Sequence, residues 1–527
     1  MAEASALRLR AFSRLGQLDA AAAAGRQAIA ALERVRGNYG SGELRTAFTA
    51  DRAGVYTDLV LVLLRLRRTA EAFEIADAAR GRALVEHIAT ARGQIRTPAG
   101  ALGALLEGDS LLRAIDGLVS QLRERERTIP RERGDGNTES TRELADRISN
   151  ARTRYETLVA QRASSTDAMV LLGGSARTAG EVQASLAPNE VMLEYFVAPT
   201  QLVVFIVRRN GIWSVSTPIS GEDLFDRVRL ARDLVSRPAQ HADDVPVMTG
   251  LYRDLVRPVM QTEAFRGVRR IVIVRHSMLS YLPFAALVNP ANGRRLIEQF
   301  PLLYAPSGAV LSALRSARPR PTLTRREPIV AFAPLPDQLP ASRREVTSIA
   351  DALPGARSVI GPNATERAVR QSLEEAGVIH VATHGVMNVR NPLFSRIELA
   401  APGRPTPSDN GRLETHELLG LRITSRLVFL SGCETSVGDA WATTFDLGED
   451  YTTLARAFLF AGARNVIGSL WRINDDGASE LASRFYGWLR TLPAPEALAR
   501  AQIEMLTAGV RRDPYFWAAF EVLGDGT

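Results

Sequence analysis

Short apolar, β-branched runs punctuate the chain from about residue 165 onward. "VMLEYFVA" (Val191–Ala198) and "QLVVFIVRR" (Gln201–Arg209) come first. "RRNGIW" then places an Asn210-Gly211 hairpin signal ahead of "WSVSTP". Further runs are "RIVIV" (Arg270–Val274), "PIVAF" (Pro328–Phe332), "VIHVA" (Val378–Ala382), "RLVFL" (Arg426–Leu430) and "RNVIGSLW" (Arg464–Trp471). Helical periodicity fills the intervals, as at Glu366–Ala376, Thr453–Ala461 and Gly477–Arg490. Continuous apolar strands separated by helices predict an α/β fold, with a mainly parallel sheet covered by helices on both faces.

The amino-terminal pattern is different. Residues 1–97 carry apolar and small residues at spacings of three and four, which predicts an all-α segment. Two helix-turn-helix units resemble each other. One turns at Leu15-Gly16-Gln17-Leu18 and continues through Ala21, Ala28 and Ile29. The other turns at Leu66-Arg67-Arg68-Thr69 and continues through Ala72, Ala76 and Ala79. Alanines seven apart fall on one helix face, where small side chains allow close packing. The units resemble tetratricopeptide (TPR) repeats, although their 51-residue offset is longer than the common period. An ordinary helical bundle is the rival reading. Residues 98–165 read as a charged helical hairpin or linker. Its stripes are Leu111, Ile115, Leu118 and Leu122, then Leu144, Ile148, Tyr155 and Leu158. The remainder divides into 166–320, with strands and a hairpin, and 321–527, where the candidate chemistry lies.

Composition narrows the class. The net charge of +7 comes entirely from arginine on the basic side, since the chain has no lysine. The arginines are scattered and accompanied by acids. A nucleic-acid surface would want a basic stripe with stacking aromatics. Arg65, Arg67 and Arg68, and Arg266, Arg269 and Arg270, are too short to make one. The single cysteine excludes an internal disulfide framework and fits a reducing compartment. Met1 is not followed by a signal-peptide pattern, and the apolar run Leu59–Leu64 is too short to span a bilayer. The expectation is a cytoplasmic protein with no membrane contact.

That one cysteine, Cys433, ends the strand-like "LVFLSGCETS", and His384 ends the strand-like "VIHVATHG". In open α/β sheets, ligands bind beyond the carboxyl ends of strands. A thiol with a pKa of about 8.5 is mostly protonated at neutral pH, and an imidazole within reach can take its proton. Singly, each residue has a plain alternative: a buried thiol, or a histidine bonding its own loop. Together, 49 residues apart, they have the caspase-type spacing of a strand-end His-Gly and a later strand-end cysteine. The N–H groups of Gly385 and Cys433 are candidate oxyanion donors, and Gly432 leaves room for a substrate backbone.

Glu434 follows the cysteine and either orients its loop or caps the next helix. Asp439, Asp446, Glu449 and Asp450 give "TSVGDAWATTFDLGED" an acidic lining, or are simply solvated. Trp471 either walls a pocket or is plain core. Ser469-Leu470-Trp471 is a candidate for pairing with an extended peptide. His380 shares the strand face of His384 and reads as a satisfied core histidine, or one that supports the site from behind, rather than a ligand. His276 and His416 have no ligand cluster at metal spacing, so no metal is expected.

On these motifs the chain resembles the CHAT family, the caspase-like domains found with TPR arrays, in the clan of caspases and separases. "IHVATHG" and "LVFLSGCETS" look like its histidine and cysteine motifs, with Gly432 where alanine is more usual and Ser436 where glycine is. "SYLPFAAL", "LLYAPS", "LARAFLFAGARNVIGSLWRIND" and "PYFWAAFEVLG" extend the resemblance over about residues 185–527. It implies a caspase-like fold and a cysteine endopeptidase, with His384 as general base, Cys433 as nucleophile and no cofactor. It also implies a protein substrate, and a regulatory protein partner bound through the helical arm. Some members of the clan carry an acid two residues before the cysteine; here that residue is Ser431. The alternative is a non-enzymatic scaffold or interaction protein.

Overall fold

A computed structural model describes residues 2–36, 53–79, 147, 177–238, 244–316, 328–386, 395–406, 409–418, 421–431, 453–507 and 511–527. The hairpin expected over 98–165 lies outside the described residues, residue 147 excepted. Two helical hairpins open the chain. The first is Ala2–Arg14 with Leu18–Arg36; the second is Ala53–Arg65 with residues 69–79. Both predicted turns are present, and positive φ at Gly16 and Arg67 reverses the chain in each. The small residues mostly do what their spacing predicts: Ala21, Ala28 and Ala72 are fully buried, as is Ala76, while Ala79, seven residues after Ala72, is half-buried near the end of its helix. Gly25 packs on Leu59, where an added Cβ would stand 2.8 Å from the leucine Cδ1.

The body is built on one long sheet. Its first strands are β1 (Glu190–Val197), β2 (Leu202–Arg208), β3 (Gly211–Thr217), β4 (Arg270–Val274) and β5 (Leu302–Tyr304). β6 (Ile329–Ala333), β7 (Ala356–Ile360) and β8 (Val378–Ala382) follow. A small separate sheet comprises β9 (Gly385–Val386), β10 (Arg396–Glu398) and β11 (Arg412–Glu414). β12 (Leu427–Ser431), β13 (Asn465–Ser469) and β14 (Phe520–Gly524) complete the main sheet. The main sheet has 11 strands in the order β3-β2-β1-β4-β5-β14-β13-β12-β8-β6-β7. β4, β8 and β12 read as continuous apolar runs because helices cover both faces of the sheet, and every residue of β8 and β12 is buried.

The hairpin signal is displaced by one residue. Arg208 pairs with Gly211, so the turn is Arg209-Asn210 and the glycine begins β3. The exposed Trp213 ring lies over that glycine, where a Cβ would fall 2.6 Å from its outer edge and displace the ring.

Strand direction divides the sheet. β1, β4, β5 and β14 are mutually parallel. So are β13, β12, β8, β6 and β7. β14 and β13 are antiparallel, so the two groups run in opposite directions and their carboxyl ends lie on opposite edges. The junction holds a buried ionic cluster. Arg275 Nη1 donates to both carboxylate oxygens of Glu521, at 2.9 and 2.8 Å, and its guanidinium lies over the Tyr304 ring. Burial pushes the Glu521 carboxyl up to about 7 from an ordinary 4.5, against the pull of Arg275. A raised acid contributes stability that is full below its unfolded value and is lost as pH rises through its folded value. Between pH 4.5 and 7 this is a loss on the order of 3 kcal/mol. Denaturation across that window is therefore expected to show the parent losing stability relative to Glu521→Gln. A gap between the two that stays constant with pH would contradict this.

Among the described residues, the helix over 69–79 carries contacts between the arm and the body. Phe73 is fully buried and meets the Phe205 ring of β2 at 5.9 Å. One turn on, Asp77 accepts the backbone N–H groups of Gly308 (2.6 Å) and Ala309 (2.9 Å), at the start of the helix Gly308–Ser316. Glu74 accepts the N–H of Ala179 at 2.8 Å, at the start of the helix Ala179–Ser185. The arm thus supplies side-chain caps for two body helices whose first N–H groups have no partner within their own helix.

Candidate active site at the carboxyl ends of β8 and β12

β8 and β12 are parallel neighbours in register from Val378↔Leu427 to Ala382↔Ser431. Thr383 extends the pairing, its N–H donating to the Ser431 carbonyl at 3.0 Å. The next residue is His384. Its carbonyl accepts the N–H of Glu398 at 2.9 Å, while the Thr383 hydroxyl donates to the Glu398 carbonyl. The histidine is therefore held between the main sheet and the small one. Its ring is half-buried, with Nδ1 turned inward.

Gly385 pairs with Ile397 across β9 and β10. The Glu398-to-His384 bond makes this a non-hydrogen-bonded pair, so the Gly385 N–H points away from β10. β12 ends at Ser431, which is buried. Gly432, Cys433, Glu434 and Asp439 lie outside the described residues.

The face of β8 that carries His384 also carries His380, which is completely buried. His380 Nδ1 is 3.2 Å from the Tyr486 hydroxyl, and Nε2 is 3.0 Å from Glu345 Oε1. Its ring lies against Phe429 and Tyr486. These contacts make it a core histidine, hydrogen-bonded at Nδ1, while the Nε2 approach to Glu345 is close without forming a hydrogen bond. Glu345 belongs to the helix Pro340–Ala352 and Tyr486 to the helix Asp475–Leu489; the two helices pack on each other over this face.

Trp471 is buried, and its indole N–H donates to the Tyr515 carbonyl at 3.0 Å. Beside it, Leu470 has both main-chain groups engaged. Its N–H donates to the Ala519 carbonyl at 2.8 Å, and its carbonyl accepts from Arg232 Nη2 at 2.8 Å. Peptide pairing, suggested by the sequence for this stretch, cannot use Leu470 while those bonds stand. Arg232 comes from the helix Gly221–Val235, in the other half of the body, and its guanidinium covers the Tyr281 ring. Nothing in the sequence around Arg232 marks it, because its partner is a carbonyl 238 residues away. His276 accepts the Val197 N–H at 3.0 Å and stacks on Phe196, which accounts for it structurally. Among the described residues no group of His, Cys, Asp and Glu could hold a metal ion, and no helix is long and apolar enough to cross a membrane.

A family model of the CHAT domain matches residues 245–525, just over half of the chain. It begins after β1–β3, later than the resemblance noted from the motifs. Tetratricopeptide repeat protein 28 of Mus musculus is 24% identical over 329 residues, covering 53% of this chain and 13% of that protein. Its Homo sapiens counterpart is 24% identical over 371 residues, covering 60% and 15%. The chain therefore spans about one seventh of these relatives' length. Among solved structures, the Saccharomyces cerevisiae separase–securin complex is similar at TM-score 0.42 and 11% identity, over 89% of this chain and 37% of that one. The complex of Porphyromonas gingivalis RgpB pro- and mature domains is similar at TM-score 0.35 and 12% identity, over 58% and 76%. At such scores these likenesses carry no argument about chemistry.

Proposed function

The chain belongs to the CHAT-domain family, and from that premise we propose that it is a cysteine endopeptidase acting through a His384–Cys433 dyad. The observation that carries this reading is the rung Ala382↔Ser431. In sequence, His384 and Cys433 each follow that rung by two residues, and the rung joins the ends of two parallel strands about 4.8 Å apart. Two residues of chain reach at most about 7 Å, so the sequence separation from this rung is short on both sides.

In the proposed reaction, Cys433 Sγ attacks a peptide carbonyl and its proton passes to His384. The tetrahedral oxyanion accepts from the N–H groups of Gly385 and Cys433. His384 then protonates the leaving amine, and a thioester remains. Water, deprotonated by the same imidazole, releases the acid and restores the thiol. Gly432, Glu434, Asp439 and Trp471 are the residues assigned to the substrate pocket. The substrate is a protein, and a second protein that engages the helical arm regulates the site.

Thiol alkylation tests the dyad directly, because the chain has one cysteine and the label has one site. Iodoacetamide is expected to modify Cys433 at pH 7 about 10-fold faster than a free-thiol standard. His384→Ala should bring the rate down to the standard. A rate equal to the standard in the parent, unmoved by His384→Ala, would favour a scaffold that uses the fold without its chemistry.

A further inference from the structure

We propose that Asp475 is the carboxylate that positions His384 and balances the charge of its imidazolium. The proposal rests on the dyad reading and adds a third member to it. Its basis is the way two mutually packed helices meet β8 at His380. His380 and His384 project from the same face, four residues apart, which is about 13 Å of strand. At His380 the neighbours are Glu345 and Tyr486. Following the second helix back from Tyr486 to its first residue, Asp475, covers eleven residues, about 16 Å. That length is comparable with the run of about 13 Å from His380 to His384, so the first turn of this helix falls near the end of β8.

Two interactions agree with this placement. Asp475 accepts the backbone N–H of Ala341, at the start of the helix Pro340–Ala352, so the carboxylate sits where both helices begin. It also interacts electrostatically with His384.

An acid in the first turn of a helix is ordinarily held low by the helix dipole. Asp475 is raised instead. Burial is the main cause and nearby Glu345 adds to it, while the Ala341 N–H, Arg472 and His384 pull the other way. The charged groups around the pair are therefore Glu345 from one helix, Asp475 from the other and Arg472 from the segment after β13. Asp476, the next residue, faces solvent and pairs with Arg344. A carboxylate kept half-buried beside a histidine at a strand end serves stability poorly and suits a charge that appears during reaction. When Cys433 gives up its proton, His384 becomes cationic, and Asp475 stabilises that state without taking the proton. It acts through His384 and is a positioning residue.

The test reads His384 itself. NMR titration of its ring in the full chain carrying Cys433→Ala should move to lower pH when Asp475→Asn is added. Asp475→Glu should restore most of the shift. In the cysteine-containing protein, Asp475→Asn should move the pH profile of Cys433 alkylation and lower kcat about 10- to 100-fold with KM little changed. An unmoved His384 titration in folded Asp475→Asn protein would overturn the proposal, whatever the dyad does. If the titration moves but His384→Ala leaves alkylation unchanged, the Asp475–His384 pair stands and the dyad reading falls.

Discussion

Cys433→Ala is expected to abolish cleavage of a protein substrate, and His384→Ala to reduce it by about 10⁴-fold or more. The two effects should not add. Nucleophile and base act in one step, so the double variant should be no worse than Cys433→Ala alone. The fold should survive both changes. Cys433→Ala exchanges one small side chain for another, and His384 is held through its main chain by Glu398. The measurement is to incubate parent and variants with the proteins encoded beside this one and sequence any new amino termini. The cut site then reports the pocket preference as well. Equal cleavage by Cys433→Ala and the parent would remove the nucleophile assignment.

Phe73→Ala should cost about 3–5 kcal/mol, the range for emptying a buried aromatic site. Phe73 fills the space between Phe205 on β2 and Gly308, where an added Cβ would already stand 3.2 Å from the Phe73 ring. Losing the ring should also loosen Asp77 one turn along, and with it the cap on the Gly308–Ser316 helix. Chemical denaturation should show the lower midpoint, and limited proteolysis should cut earlier between arm and body. Leu15→Ala, on an exposed side chain, should stay within about 0.5 kcal/mol of the parent. A Phe73→Ala cost of under about 1 kcal/mol would mean that this helix does not carry the junction.

The arm meets the body at β2 and at the helix after β5, in the half of the sheet without His384. Arg232, from that same half, bonds the Leu470 carbonyl next to Trp471. A partner on the arm would therefore reach the site through packed elements rather than by touching it. The buried cluster of Arg275, Glu521 and Tyr304 lies at the seam such a signal would cross.

Local pattern determined a good deal of this. The apolar runs became strands because a strand buried on both faces must be apolar throughout, and "VIHVA" is β8 residue for residue. The alanine spacing of the arm predicted which helix faces are buried, because helical periodicity depends only on neighbours in sequence. The position of His384 just past the end of β8 was legible for the same reason.

Other features were decided only by tertiary structure. β14 sits mid-sheet and reverses its direction, yet five residues in "AFEVLG" say nothing about which strands flank them. Asp77 looks like a solvated helix residue until the body supplies two N–H groups 231 and 232 residues away. Asp475 looks like an ordinary first-turn acid until helix packing carries it to His384. In each case the partner lies far along the chain, and contacts at that range are set by strand order and helix packing. Those depend on burying the whole core at once, and no local period records them.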